Sequence, residues 1–186
     1  MPITMSTTLR NNRAGQIEST IGASARLRLR TGAPPANVAA ASTGTVVASM
    51  TLPADYLGAA SNGVVSQLGT WQDTSADATG VIAHAEFVAS DDTTVHMRCL
   101  VTEAWQATKG YVVGQQVHTG ANNVYRCTVA GTSGGTAPSH TSATASDGTV
   151  TWQFVQNGLE LTMDNTNVNA TQQVNVTGFS FTEANA

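Results

Sequence analysis

The sequence predicts an all-β chain: an antiparallel β-sandwich or jelly roll with a short N-terminal helix and a small inserted β-rich module. Three observations predict it. The first is composition. Among 186 residues there are 28 Thr and 17 Gly, Lys109 is the only lysine, and charged residues make up 11%, against about 25% in an average soluble chain. Chains rich in Thr and Val and poor in Lys favour pleated backbone over helix. The second is a series of short apolar segments, several alternating, punctuated by Gly, Asn, Asp and Pro. The third is a turn-rich stretch of different character, from Ala104 to Gln156, lying inside that series. The 41% hydrophobic content suffices for a packed core, and the low net charge sets the chain apart from disordered ones.

Taken in order, Ser6 is placed to cap a helix from Thr7 to Ile21, with Leu9, Ile17 and Ile21 on one face and Gly22 to stop it. Ala25 to Arg30 alternates strictly, giving a strand with one apolar face and one arginine face, broken by Gly32-Ala33-Pro34-Pro35. Thr45 to Leu52 and Val64 to Leu68 read as strands. Val81 to Val88 and Thr93 to Cys99 read as the arms of a hairpin turning at Asp91-Asp92. Leu159 to Met163, Val174 with Val176, and Phe179 with Phe181 supply the last strands. Six or seven strands with such turns point to an antiparallel sandwich.

The stretch 104–156 holds Trp105, Trp152, two of the three Tyr and the only Lys. Removing it joins two strand-like segments, as in a hairpin. It therefore reads as a module inserted at a hairpin tip. The host is 1–103 plus 157–186, and the insert is 104–156.

Several classes are excluded. No run approaches the about 18 apolar residues of a membrane span, and Met1 to Arg13 has no signal-type apolar stretch. Cys99 and Cys127 make neither a disulfide framework nor a zinc site and read as buried thiols. His84-Ala85-Glu86 has the form of a deaminase zinc motif but lacks its Pro-Cys-x-x-Cys partner. The alternation puts His84 and Glu86 together on an exposed strand face. Asp91-Asp92 reads as a solvated turn. No catalytic signature is found, so the expectation is no enzyme, no metal and no cofactor. Residues 1–30 carry five Arg against Glu18, a +4 segment on a remainder of −8. A basic arm on an acidic body suits an acidic partner surface. One Lys and a pI near 5.4 argue against nucleic acid.

Two resemblances follow. Trp105, Tyr111, Gly114, Val117, Asn123, Tyr125 and Cys127, with "AGTSG" at 130–134 and "DGTVTW" at 147–152, resemble small carbohydrate-binding modules of chitin-binding type. The fuller pattern is similar to a module that recurs in tailed-phage structural proteins. The host segments "IESTIGASARLRLRTG" (17–32), Pro34 to Asn37, Met50 to Leu52, "DTSADATG" (73–80) and "NVTGFSFTEAN" (175–185) resemble a family of tailed-bacteriophage capsid decoration, or cement, proteins. The resemblance implies a jelly-roll virion protein on the capsid exterior, made in the bacterial host cytoplasm. Its partners are then the major capsid protein, further copies of itself as dimer or trimer, and surface glycan. A tail, collar or receptor-binding protein is the alternative.

Within that frame, Arg10, Arg13, Arg26, Arg28 and Arg30 are candidate capsid-binding residues. The competing reading makes the three strand arginines the solvated face of an edge strand. Trp105, Tyr111, Tyr125 and Trp152 are candidate sugar-stacking residues. The competing reading makes most of them the core of a module of about 50 residues, which must bury its few large side chains. If one is an exposed platform, Trp105 or Trp152 is the better placed.

Overall fold

The computed structural model describes residues 4–184. Helix α1 (Thr7–Ile21) opens the chain. Ser6 caps it by accepting a hydrogen bond from the Leu9 amide at 3.2 Å. Gly22, at φ 91°, ends it, its N–H donating a hydrogen bond to the Glu18 carbonyl, in a conformation that suits a residue without Cβ. Two of the three residues of the expected face meet the core, Ile21 buried and Ile17 packed against it; Ala14 joins them, and Leu9 instead is 47% exposed. Nor does the helix extend as an arm. Glu18 Oε1 accepts from the Tyr56 and Leu57 amides, Asn11 Oδ1 accepts from the Gly63 amide, and Arg13 pairs with Glu183 at 2.7 Å. The helix's polar groups satisfy backbone amides that no strand reaches.

The described residues form fifteen strands. The host gives β1 (Arg26–Thr31), β2 (Val46–Thr51), β3 (Val64–Ser66), β4 (Gln72–Asp73), β5 (Gly80–Val88) and β6 (Val95–Ala104). The inserted stretch gives β7 (Gly110–Tyr111), β8 (Gln116–His118), β9 (Asn123–Val129), β10 (Gly131–Thr132), β11 (Thr144–Asp147) and β12 (Val150–Asn157). The host resumes with β13 (Leu161–Met163), β14 (Asn167–Val168) and β15 (Val174–Thr182). The two segments expected near the end, at 174–176 and 179–181, are one strand.

The fold is all-β with one short helix, in mixed, mainly antiparallel sheets not closed into a barrel. The main strand order is β11-β12-β9-β8-β6-β13-β15-β3, with β5, β1 and β2 branching from β6. The β5–β6 hairpin is present, from Val88↔Val95 to His84↔Leu100. Asp91 closes its turn, accepting from the Thr93 and Thr94 amides at 2.8 Å and from the Thr94 hydroxyl at 2.6 Å.

The insert's flanks do not form a hairpin. β13 runs parallel to β6, with Val101 opposite Leu161 and Glu103 opposite Met163. β8 also runs parallel to β6, with Glu103 opposite Val117. Parallel neighbours need a crossover, and residues 104–160 are that crossover as well as a module. β8, β9, β11 and β12 of the insert extend the host sheet, β7 and β10 form a two-stranded sheet of their own, and the insert's side chains make a separate apolar cluster.

The host core centres on Trp71, 1% exposed, whose ring lies 5.6–6.1 Å from those of Tyr56, Phe87 and Phe179. The edge-to-face and tilted arrangements suit ring quadrupoles.

Replacing 104–156 by a turn of a few residues is expected to abolish folding. β6 and β13 are parallel neighbours, and such a pair needs a crossover of about a dozen residues or more, which a turn of a few residues does not supply. Circular dichroism and size-exclusion chromatography of the excised chain check this; a monodisperse β-rich product would show that the crossover is dispensable.

Candidate functional site

The arginine strand is interior to its sheet. β1 pairs with β2 on one side and β5 on the other, so the edge-strand reading does not hold. Leu27 and Leu29 face the core at 0% exposure. On the opposite face the register sets Arg28 beside Glu86, and Glu86 beside Arg98. Glu86 is fully buried. Its carboxylate accepts from Arg30 Nε at 2.7 Å, Arg98 Nε at 2.8 Å and Ser42 Oγ at 2.7 Å. Arg30 continues to the Gly44 carbonyl, and Arg98 to those of Asn37 and Ala40. Two guanidiniums thus pin the loop between β1 and β2 over the sheet, through one carboxylate.

This overturns the exposed placement of His84 and Glu86. β5 lies between β1 and β6, with the core on one face and the pinned loop on the other, so alternation along it carries no wet face. His84 is buried too; its Nδ1–H donates to the Gly32 carbonyl at 2.9 Å, and Nε2 has no hydrogen-bond partner among the described residues. Burial holds its pKa below the ordinary 6.5, against a smaller upward pull from the Gly32 carbonyl and Glu86. Burial alone would raise the Glu86 carboxyl. The hydrogen bonds from Ser42 and Arg98 and the charge of Arg30 outweigh it and hold the carboxyl below 4.5.

The remaining candidate arginines are engaged as well. Arg28 pairs with Asp92 at 2.7 Å and also donates to its carbonyl; Arg26 reaches the same carboxylate at 3.4 Å. The second carboxylate of the Asp91-Asp92 turn therefore ties the hairpin tip to β1. Arg10 donates to the Asn62 carbonyl at 3.0 Å. Side-chain exposure separates the group: Arg13 at 53% and Arg26 at 43% face solvent, while Arg28 at 19% and Arg30 at 12% do not.

A second ionic centre, not singled out from sequence, joins insert to host. Glu103 is buried at the end of β6; it pairs with Lys109 at 2.7 Å and accepts from the Thr166 amide at 2.7 Å. The only lysine is thus spent at the junction.

Within the insert, Tyr111, Tyr125 and Trp152 are 2%, 0% and 0% exposed and pack with Val117, Cys127 and Val150. They offer no ring face to a sugar. Trp152 in particular is core, because it sits mid-strand between β11 and β9. Trp105 is half-buried beside this cluster. Asp147 Oδ2 accepts from both indoles, Trp105 Nε1 at 3.0 Å and Trp152 Nε1 at 3.1 Å, and Oδ1 accepts from the Gly134 amide. Gly148, at φ 65°, makes the tight β11–β12 turn that aims Asp147 inward. An open groove of about 450 Å³ lies between residues 134–140 and 145–148. Cys99 and Cys127 are both buried and unpaired.

Glu86→Gln is expected to cost about 3–5 kcal/mol, because it strands two guanidiniums at a buried site; urea denaturation measures it. The pH dependence has a definite sign. His84 and His118, whose pKa burial also lowers, bind protons more readily unfolded. Stability is therefore full above about pH 6.5 and falls as pH drops below it. The Glu86 contribution is lost at lower pH, through 4.5 and below. A thermal-melt series from pH 8 to 5 should fall in the wild type and flatten in a His84→Gln/His118→Gln variant. Trp152→Ala should lose about 3–5 kcal/mol, and Trp105→Ala distinctly less, by the same denaturation assay.

No family model, curated protein or solved structure matches this chain.

Proposed function

We propose that this chain is a non-enzymatic structural protein of jelly-roll type that decorates the exterior of a tailed-phage capsid. Residues 1–103 and 157–186 bind the major capsid protein as a homo-oligomer, and 104–156 is displayed outward. The observation that carries this reading is the use made of the ionic groups. Glu86, Asp92 and Glu103 are spent on cross-bracing: loop to sheet, hairpin to strand, insert to host. That is the chemistry of a rigid scaffold. The segments behind the family resemblance lie on this frame. Residues 17–32 form the end of α1 and β1, 73–80 lead into β5, and 175–182 lie in β15.

In this reading Arg13 and Arg26, the most exposed side chains measured among the five candidates, meet acidic capsid surface, with Arg10 on α1 as Arg13 is. Arg28 and Arg30 hold the strand that carries them. Each contact is weak, and many copies on one shell give firm attachment by avidity. Trp105 is the aromatic left to meet a surface glycan, next to the Asp147 groove. That groove is also what favours the second reading, a tail or collar protein that binds host glycan.

Copy number tests the proposal. Quantitative gels and averaged density of virions carrying this chain should give hundreds of copies; a few to a few tens would assign it to tail or collar. Occupancy on the capsid should fall in an Arg13→Glu/Arg26→Glu variant and with added salt, since the screening length drops from ~10 Å at 0.1 M to ~3 Å at 1 M.

A further inference from the structure

A cleft of about 330 Å³ runs between the insert's sheet and the host loop that follows β1. Ala83 and Leu100 form its floor, where β5 and β6 part; Pro34 walls it on the host side and Val155 on the insert side. Gln116 lines it with its amide hydrogens spent, on the carbonyls of Ala83 at 2.6 Å and Val101 at 3.3 Å. Among the described residues, the one charged side chain in the lining is Arg126.

The register sets Gln116, Arg126 and Gln153 in one cross-strand row. Arg126 is exposed, and its Nη2 donates to Gln153 Oε1 at 2.8 Å. Its position among the cations is unusual. Of the eight Lys and Arg, six pair with carboxylates among the described residues, and Arg10 donates to a backbone carbonyl. Arg126 reaches only a neutral side chain. A guanidinium presents five N–H donors in a fork that matches a carboxylate, and here most of the fork is uncommitted beside an apolar cup. Volume, mainly apolar lining, a single charged anchor and a place between two units are the marks of a small-ligand pocket.

We propose that this cleft binds a small monocarboxylate with a compact apolar body. The carboxylate pairs with Arg126, and the body lies against Pro34, Leu100 and Val155. Charge selects the anion, because the described residues supply no carboxylate to this guanidinium. The lining selects the body. With the Gln116 amide spent, no further side-chain N–H besides Arg126 faces the cleft, so a polyhydroxylated acid leaves its hydroxyls unpaired. The site does not depend on the coat reading.

Titration of the full ¹⁵N-labelled chain with sodium benzoate, at constant ionic strength, tests this. Saturable shifts at Ala83, Gly114, Gln116 and the Arg126 side chain are expected, with a low-millimolar Kd. Arg126→Gln should weaken binding at least about tenfold. Val155→Glu, at a solvent-facing position, should do the same by giving Arg126 an internal carboxylate. The spectra themselves report that both variants are folded. Benzyl alcohol, the neutral counterpart, and sodium glucuronate should each bind at least about tenfold more weakly than benzoate. The proposal is overturned by an absence of saturable shifts, by an unchanged Kd in either folded variant, or by benzyl alcohol or glucuronate matching benzoate.

Discussion

The Glu86 carboxylate is the constraint on which the host's architecture hangs. A buried carboxylate is tolerable only when its lone pairs are filled, and Arg30, Arg98 and Ser42 fill them. The two arginines come from β1 and β6, the strands on either side of β5. The serine comes from the loop above. Three strands and a loop thus share one electrostatic centre, and the guanidiniums carry the constraint onward to the carbonyls of Asn37, Ala40 and Gly44. The loop lacks strand pairing over most of its length, and this pairing of side chain to backbone replaces it.

Glu103 plays the corresponding part at the junction. It lies at the position of β6 where β8 and β13 both join in parallel. Its pairing with Lys109 and Thr166 draws the insert's first loop and the host's 164–167 segment to the same point. The insert is a separate apolar cluster on a shared sheet, neither a tethered domain nor a simple loop. The cleft beside Arg126 exists because of that arrangement, since its two walls belong to different units.

Much of this was legible in the sequence where a local rule decides the outcome. Ser6 and Gly22 bracket α1; the alternation at 25–30 marks β1; Asp91-Asp92 marks a hairpin turn. What was illegible depended on tertiary context. His84 and Glu86 alternate with apolar residues as a half-wet strand does, but a loop with no periodic signal covers their face. The apposition of β6 and β13 resembles a hairpin in sequence, because strand direction across an insertion leaves no local trace. Trp71 lies between Thr70 and Gln72, outside any periodic run, and only packing reveals it as the centre of the core. Arg126 stands alone between Tyr125 and Cys127. Its importance arises from Pro34, far away in the chain. The insert's aromatics follow a size argument that needs no periodicity: a small unit must bury its largest rings.

The parallel pairing of β6 with β13 also orders events in time. Val101 meets Leu161 sixty positions further along the chain, a closure that is slow for an unstructured chain because its entropy must be lost before any contact forms. The β8–β9 pairing within that span is short-range and the β9–β12 pairing of intermediate range, and both are antiparallel, so contact order favours their forming first and shortening the effective loop. On this topology the insert is the host's internal folding template: once its strands have registered, β13 is delivered to β6, and the second half of the host sheet, β15 and β3, has a surface on which to assemble.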